Sequence, residues 1–357
     1  MKGVILSGGK GTRLRPITHT GPKQLVPVAN KPVIQYAIED LAEAGITEIG
    51  IVLGNKGAAR IQEFLGDGSA FDVDITYIFQ GEPLGLSHAV GCARDFVGED
   101  DFVVYLGDNI LKQGVVELVE SFRQGDFVAG IALQEVDHPE RFGVADLNED
   151  GSVERLIEKP DSPPSNLALI GVYVFSSEVF DVIDELEPSW RGELEITDAI
   201  QQLLEEHGRV DSHVVHGWWK DTGKPTDILD ANRLVLDEQI GIVSGEIEDG
   251  AEVTGQVDLQ EGAVVEAGAV VRGPVSIGAD THIKSGTYIG PYTSIGRDSV
   301  VAGAQIENSV IVGESTITAS ERIVDSLLGR GTTVESADEL LPTGRRFVVG
   351  ENSNLKL

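Results

Sequence analysis

A chain of 357 residues with 27 Lys and Arg against 59 Asp and Glu, a formal charge of −32, is too long for one typical core and predicts two domains. So negative a surface repels phosphate backbones and excludes nucleic-acid binding. No apolar run approaches the roughly 20 residues of a membrane span and no charged-then-apolar leader opens the chain, so a cytoplasmic protein is expected. A single cysteine, Cys92, excludes a disulfide framework and a multi-thiolate metal site.

The opening stretch runs against this acidity. Residues 1–38 contain Lys2, Lys10, Arg13, Arg15, Lys23 and Lys31 and no Asp or Glu. Val4-Ile5-Leu6 reads as a buried first strand that breaks into Gly8, Gly9 and Gly11. Glycines there let the main chain approach a phosphate, and the cations neutralise it. A bound polyanion is the best explanation for such an island of positive charge. The loop is not a Walker loop, because neither Gly9-Lys10 nor Gly223-Lys224 is followed by Ser or Thr. Nor is it a dinucleotide fingerprint, because Gly9-Lys10-Gly11-Thr12-Arg13 continues into Leu14.

Strands and helices then alternate. Val33, Ile34, Ala37, Ile38 and Leu41 mark one face of a helix, residues 48–53 a strand, and Ile61, Phe64 and Leu65 a second helix. Further strands are expected at 75–79 and 102–106, with a helix from about Leu86 to Arg94 between them. Apolar strands separated by helices mean a mostly parallel sheet covered on both faces, a Rossmann-like α/β arrangement. Ligands in such sheets sit beyond the carboxyl ends of the strands. Leu6, Phe79 and Leu106 end three of them, so the residues that follow should line one crevice. Longer strands are expected at 127–133, 153–157 and 167–175, a helix beyond Glu193, a strand ending at Asp221, and a closing helix from Pro225 to about Leu236.

After Gly241 the pattern changes. Ile247, Val253, Leu259, Val265, Val271, Ile277, Ile283, Ile289, Ile295 and Val301 recur every six residues, with small or β-branched residues four positions after most of them. A strict period of six predicts a parallel β-helix. The domains are therefore expected at 1–240 and 241–357, with 345–349 as a capping strand and self-association into a homo-oligomer. His213 and His216, three apart on an expected strand, point to opposite faces and cannot chelate together. His282 lacks any accompanying coenzyme A motif.

Seven stretches in order carry a family resemblance: residues 6–16, Pro22-Lys23-Gln24-Leu25, Tyr105-Leu106-Gly107-Asp108-Asn109, Phe142-Gly143-Val144, Glu158-Lys159-Pro160, residues 192–198 and Trp219-Lys220-Asp221-Thr222-Gly223. Together they resemble the sugar-1-phosphate nucleotidylyltransferases, in particular the long form of the glucose-1-phosphate thymidylyltransferase branch, whose tail is a left-handed β-helix. The likeness covers essentially the whole chain and, with the acidity, implies a halophilic archaeal source. It implies transfer of a nucleotidyl group from dTTP to glucose 1-phosphate, for deoxysugar and surface-glycan synthesis. Mg²⁺ would be held by Asp108 and Asp221, each at the end of a strand with a glycine nearby, Gly107 and Gly223. Leu6, Gly8, Gly9, Gly11, Thr12, Arg13, Gln80 and Gly85 would bind the nucleotide, with Arg13 on the departing phosphates and Gln80 on the imide edge of the base. Lys23 would bridge the α-phosphate and the sugar phosphate. Gly143, Glu158, Lys159, Asn166, Gly171 and Tyr173 would form the sugar pocket. Glu193 and Asp198 read better as acids near a helix N-terminus.

Nucleotidyl transfer brings two polyanions together, so cations and metal must offset their repulsion. The nucleophile is already an ionised phosphate and needs no general base, which agrees with the lack of a Ser-His-Asp pattern. Rival readings are a UTP-using enzyme, a bifunctional chain whose β-helix transfers acetyl groups, and a non-catalytic nucleotide-sugar-binding subunit. The charge makes its own prediction. Salt shortens the range of self-repulsion, so the protein should unfold when KCl is lowered from molar to millimolar concentrations. Circular dichroism across a KCl series checks this, and full stability in dilute buffer would contradict it.

Overall fold

The computed structural model describes residues 1–336 and Ser353; the expected cap at 345–349 lies outside them. By contacts the chain divides into two units. The first comprises 1–10, 21–24 and 33–221, and the second 11–20, 25–32 and 222–357.

The first unit is built on a nine-stranded sheet. Its central strand, Lys2–Ser7, is flanked by two parallel neighbours, Glu48–Gly54 on one side and Phe102–Leu106 on the other. Asp74–Gly81 continues the parallel order beyond Glu48–Gly54. Chain order thus reverses beside the first strand, the kind of switch point where open α/β sheets bind ligands. Beyond Phe102–Leu106 the pairing turns antiparallel through Leu167–Phe175, which also pairs with Ala129–Glu135. Gly143–Leu147 and Val153–Glu158 extend that side as a hairpin. The core packs Val4, Val52, Phe102, Val104 and Phe175, all fully buried, against the helices Leu86–Gly91, Val179–Glu185 and Ile196–His207.

One expectation needs amending. The helix expected to run to Arg94 stops at Gly91, and a separate short helix, Arg94–Val97, follows. The expected strand ending at Asp221 is present, outside the main sheet. Trp219–Asp221 pairs antiparallel with Asn109–Leu111 in a ladder of its own.

In the second unit the hexad residues stack into three parallel ladders, the β-helix expected from the spacing. Leu259, Val265, Val271, Ile277, Ile283, Ile289, Ile295 and Val301 are completely buried. Thr281 and Thr287, also inward, donate to the Gly296 and Val301 carbonyls of the next coil. The period does not last. Paired residues stand eighteen apart at first, as in Val253↔Val271 and Ile277↔Ile295. The later pairs Ile289↔Ile306 and Ile295↔Ile311 have lost a residue or two at the corners. Inward residues after Val301 are therefore Ile306, Ile311 and Ile317.

The same unit contains the hairpin Pro27–Val28 and Lys31–Pro32, whose two-residue turn, Ala29-Asn30, has both φ positive (47° and 63°), as a twist-matched turn requires. Asn232, on the helix Pro225–Glu238 and wholly buried, ties this turn to the coils. Its Oδ1 accepts from Ala29 N (2.8 Å) and Ser294 Oγ (2.7 Å), and its Nδ2 donates to Tyr292 O (2.9 Å). Asn30 Nδ2 adds bonds to Ser276 Oγ (2.9 Å) and Ile295 O (3.0 Å). Removing a buried partner strands the groups it served, so Asn232→Ala should destabilise the protein by about 1–3 kcal/mol. Denaturant melts in molar KCl measure it.

Candidate active site

The parallel register brings the strand ends together. Leu6 is paired with Leu106, Ser7 with Leu53, and Leu53 in turn with Phe79. Gly8, Gln80 and Gly107-Asp108 therefore leave the same edge of the sheet, as the apolar runs implied. Gly8 and Gln80 touch. Gln80 is 8% exposed, and its Oε1 occupies the space a Cβ on Gly8 would need. A Cβ on Gly9 would meet Lys23 Cε at 3.2 Å, so the glycine loop also makes room for that lysine.

Lys23, on a helical turn at Lys23–Leu25, is ion-paired with Asp108, both side chains being mostly buried. Asp221 is the Cα partner of Asn109, which places it one residue from Asp108 along the paired strands. Trp219 Nε1 donates to Asn109 Oδ1 (2.9 Å) and secures this ladder. A cation and two carboxylates, brought from stretches about a hundred residues apart, thus lie at one sheet end. Among the described residues no group of three metal-ligating side chains occurs. Two carboxylates suit Mg²⁺, which takes one or two from protein and completes its octahedron with phosphate oxygens and water. The donor set fits that ion. Gly11, Thr12 and Arg13 lie in the second unit, where Thr12–Leu14 forms a short helical turn and Thr18 Oγ1 donates to Gly11 O (2.5 Å).

Gly85 has a packing reason that its sequence does not show. At φ +123° it lies against Leu194, whose backbone fills the space of a Cβ. Leu194 N donates to Leu84 O (2.8 Å) and Ser87 N to Leu194 O (3.0 Å), so residues 84–87 are laced to the segment before the helix Ile196–His207.

On the antiparallel side, Glu158 and Gly143 are register partners. A Cβ on Gly143 would stand 2.5 Å from Thr197 Oγ1, and that hydroxyl donates to Glu158 Oε2 (2.7 Å). Lys159, with φ +42°, turns its ammonium back onto Glu158 (2.5 Å). Gly171, at the register break in Leu167–Phe175, faces Asn109 Nδ2, 2.6 Å from where its Cβ would be. Tyr173 is buried in the core and stacked on Phe175, and burial first, then the charge of Glu158, pushes its phenol well above the usual range. Asn166 is exposed, and its carbonyl accepts from Val136 N (3.0 Å). Asp198 is in the first turn of its helix; Glu193 lies before it and pairs with Arg191.

Two residues here escaped sequence reasoning. Arg191 bridges Glu158 (3.4 Å), Glu193 (3.1 Å) and Glu195 (3.1 Å). Glu195, only 4% exposed, also accepts from Ser189 Oγ (2.9 Å). Burial pushes its carboxyl above the ordinary glutamate value, with the Ser189 hydroxyl pulling the other way. Burial, then Glu158, does the same to Asp198. The alternation Glu193-Leu194-Glu195 was the available signal, since an extended segment puts both acids on one side.

The nucleotidyl transferase family model matches residues 2–238. A low-salt glycan biosynthesis nucleotidyltransferase, Agl11 of Haloferax volcanii, is 68% identical over 357 residues and covered end to end in both chains. A glucose-1-phosphate thymidylyltransferase of Streptomyces antibioticus is 46% identical over 359 residues, 100% of this chain and 99% of its own. A solved Bacillus anthracis structure, provisionally assigned as a glucose-1-phosphate thymidylyltransferase and holding a sucrose, is 42% identical with a TM-score of 0.64, covering 68% of this chain and 98% of that one. Matched along most of its length by the family and along all of it by these two full-length relatives, the chain belongs to the nucleotidyl transferase family and is a nucleotidyltransferase enzyme.

Proposed function

We propose that the protein joins dTTP and glucose 1-phosphate to give dTDP-glucose and pyrophosphate, supplying activated sugar for surface-glycan synthesis in the cytoplasm of a salt-adapted cell. Full-length similarity to thymidylyltransferases supports the substrate pair. The observation that supports the chemistry is the pairing of Asp221 with Asn109, the residue after Asp108, together with the ion pair of Lys23 and Asp108. A phosphate oxygen of the sugar phosphate attacks the α-phosphorus, and the bond from that phosphorus to the bridging oxygen of the β-phosphate breaks. Lys23 stabilises the negative charge that builds on the α-phosphate and the incoming phosphate. Arg13 holds the departing β and γ phosphates, and Gly8, Gly9, Gly11 and Thr12 let the main chain line that path after Leu6. Gln80, next to Gly85, reads the base with one donor and one acceptor. Glu158 accepts sugar hydroxyls and Lys159 binds the sugar phosphate, with Gly143, Asn166, Gly171 and Tyr173 shaping the pocket. Asp108 and Asp221 are the ligands for Mg²⁺, which when bound supplies positive charge to the phosphates. Residues 1–240 carry this reaction, and 241–357 serve assembly into a homo-oligomer.

Pyrophosphate release in molar KCl, with dTTP, UTP and other nucleoside triphosphates against several hexose 1-phosphates, tests the reading. The dTTP and glucose 1-phosphate pair should be fastest, and Asp108→Asn or Lys23→Ala should lower turnover by roughly two to three orders of magnitude. Full turnover by Asp108→Asn would instead indicate a binding protein.

The glycines separate packing from recognition. Gly8→Ala is crowded by the flexible end of Gln80 and otherwise makes an ordinary contact with Gly54 N at 3.7 Å, so it should melt near the wild-type temperature while raising KM for the nucleotide. Gly85→Ala meets backbone at a left-handed φ and should lose about 1–3 kcal/mol of stability. Thermal melts beside nucleotide KM values distinguish them.

A further inference from the structure

Gln80 can read a base only if its amide points the right way round, and the structure shows what turns it. Gln80 Nε2 lies 3.2 Å from Nδ1 of His88 on the helix Leu86–Gly91, while Oε1 lies over Gly8. Among the described residues this is the amide's only side-chain hydrogen bond. His88 is itself well placed to hold it. Its neighbour Ser87 is buried, with Oγ donating to Glu195 O (2.9 Å) and N donating to Leu194 O (3.0 Å).

An amide nitrogen is only a donor and an amide oxygen only an acceptor, whereas a neutral imidazole has one of each. With its proton on Nε2, His88 presents a lone pair at Nδ1, which attracts Gln80 Nε2 and repels Oε1. The second N–H of the amide, beside Oε1, is then left with Oε1 as a donor–acceptor edge. Thymine and uracil offer O4 as acceptor and N3–H as donor to such an edge. Cytosine offers the reverse, N4–H as donor and N3 as acceptor. The two pyrimidine types are thus separated by which way the amide faces. A flipped amide reads cytosine as well as the unflipped one reads thymine.

We propose that His88 is a specificity-determining positioning residue: with Nδ1 as an acceptor it holds the Gln80 amide in the orientation that accepts an imide base and rejects cytosine. This rests on the reading of Gln80 as the base-recognising residue. A donor in the place of that lone pair favours the flipped amide. The helix of His88 carries no other titratable side chain. Those on the elements packed against it are Lys2, then Asp181, Asp184 and Glu185, and then Asp198, Glu205, Glu206 and His207. Lys2 is engaged by Asp100 and Asp184 by Arg94, and among the described residues none of these groups is bonded to the imidazole.

The test is the ratio of kcat/KM for dTTP to that for dCTP, measured by pyrophosphate release in molar KCl with saturating glucose 1-phosphate. In His88→Phe it should be lower by roughly tenfold or more, through KM for the nucleotide, while KM for glucose 1-phosphate is unchanged. If His88→Phe does not fold, His88→Lys, which can only donate, decides, and it should lower the ratio likewise. A folded variant with the wild-type ratio overturns the role of His88. Gln80→Ala tells the two failures apart. If it impairs dTTP use while the ratio ignores His88, only this inference falls; if it leaves dTTP kinetics intact, Gln80 does not read the base and both readings fall.

Discussion

Two carboxylates repel each other, and one short ladder nevertheless brings the segments that carry them together. Asn109–Leu111 departs from the main sheet immediately after Asp108, and Trp219–Asp221 returns to pair with it. Backbone hydrogen bonds set that register, so Asp221 is placed opposite Asn109, the residue after Asp108, with the precision of a strand, not of a loop. A slip of one residue would move every side chain of the ladder to the opposite face. Lys23 supplies the compensating charge, and the glycine loop leaves it room. The cationic opening of an acidic chain is thus matched by an acidic pair delivered from far along it.

The antiparallel side of the sheet solves a different electrostatic problem. Glu158, Glu193 and Glu195 crowd one region, and an uncompensated cluster of this kind would be strongly unfavourable where it is poorly solvated. Arg191 contacts all three and Lys159 contacts Glu158. The planar guanidinium can serve several carboxylates at once, which a lysine in its place could not match. Thr197 and Ser189 satisfy further carboxylate oxygens. The result is a set of acceptors held in position by cations and hydroxyls, so that any ligand meeting them would require less ordering on binding.

Periodic features of this fold were legible in sequence, and pairwise polar ones were not. The strand ends at Leu6, Phe79 and Leu106 and the hexads from Ile247 to Val301 follow from burial, which imposes a repeat on the chain. Asp108 and Asp221 were singled out because each comes at the end of a strand with a glycine within two residues, Gly107 and Gly223. Arg191, Glu195, His88 and Asn232 were not found. Each acts through one or a few contacts with residues distant in the chain, and a single contact leaves no period. The shortening of the coils after Val301 escaped for a related reason: deleting a corner residue keeps the inward position filled, by Ile306 and then Ile311, while the spacing changes. Gly85, read from sequence as making space for a base, has in addition a packing requirement that sequence could not show, because Leu194 fills the place of its Cβ.

The charge of −32 and the content of the interior bear on the same question, what holds the fold in brine. Exposed ion pairs run along the coils, among them Lys284–Glu266, Arg297–Asp298, Arg322–Glu307 and Arg330–Glu314. At molar salt the screening length is only about 3 Å, so such pairs add little. Stability must come from terms that salt does not weaken: the apolar stack from Leu259 to Ile317, and buried polar groups that are internally bonded, such as Thr281, Thr287 and Asn232. The surface acids then serve solubility more than cohesion. Removing salt would leave those interior terms in place and restore the long-range repulsion, so self-repulsion is the term on which a change of salt acts.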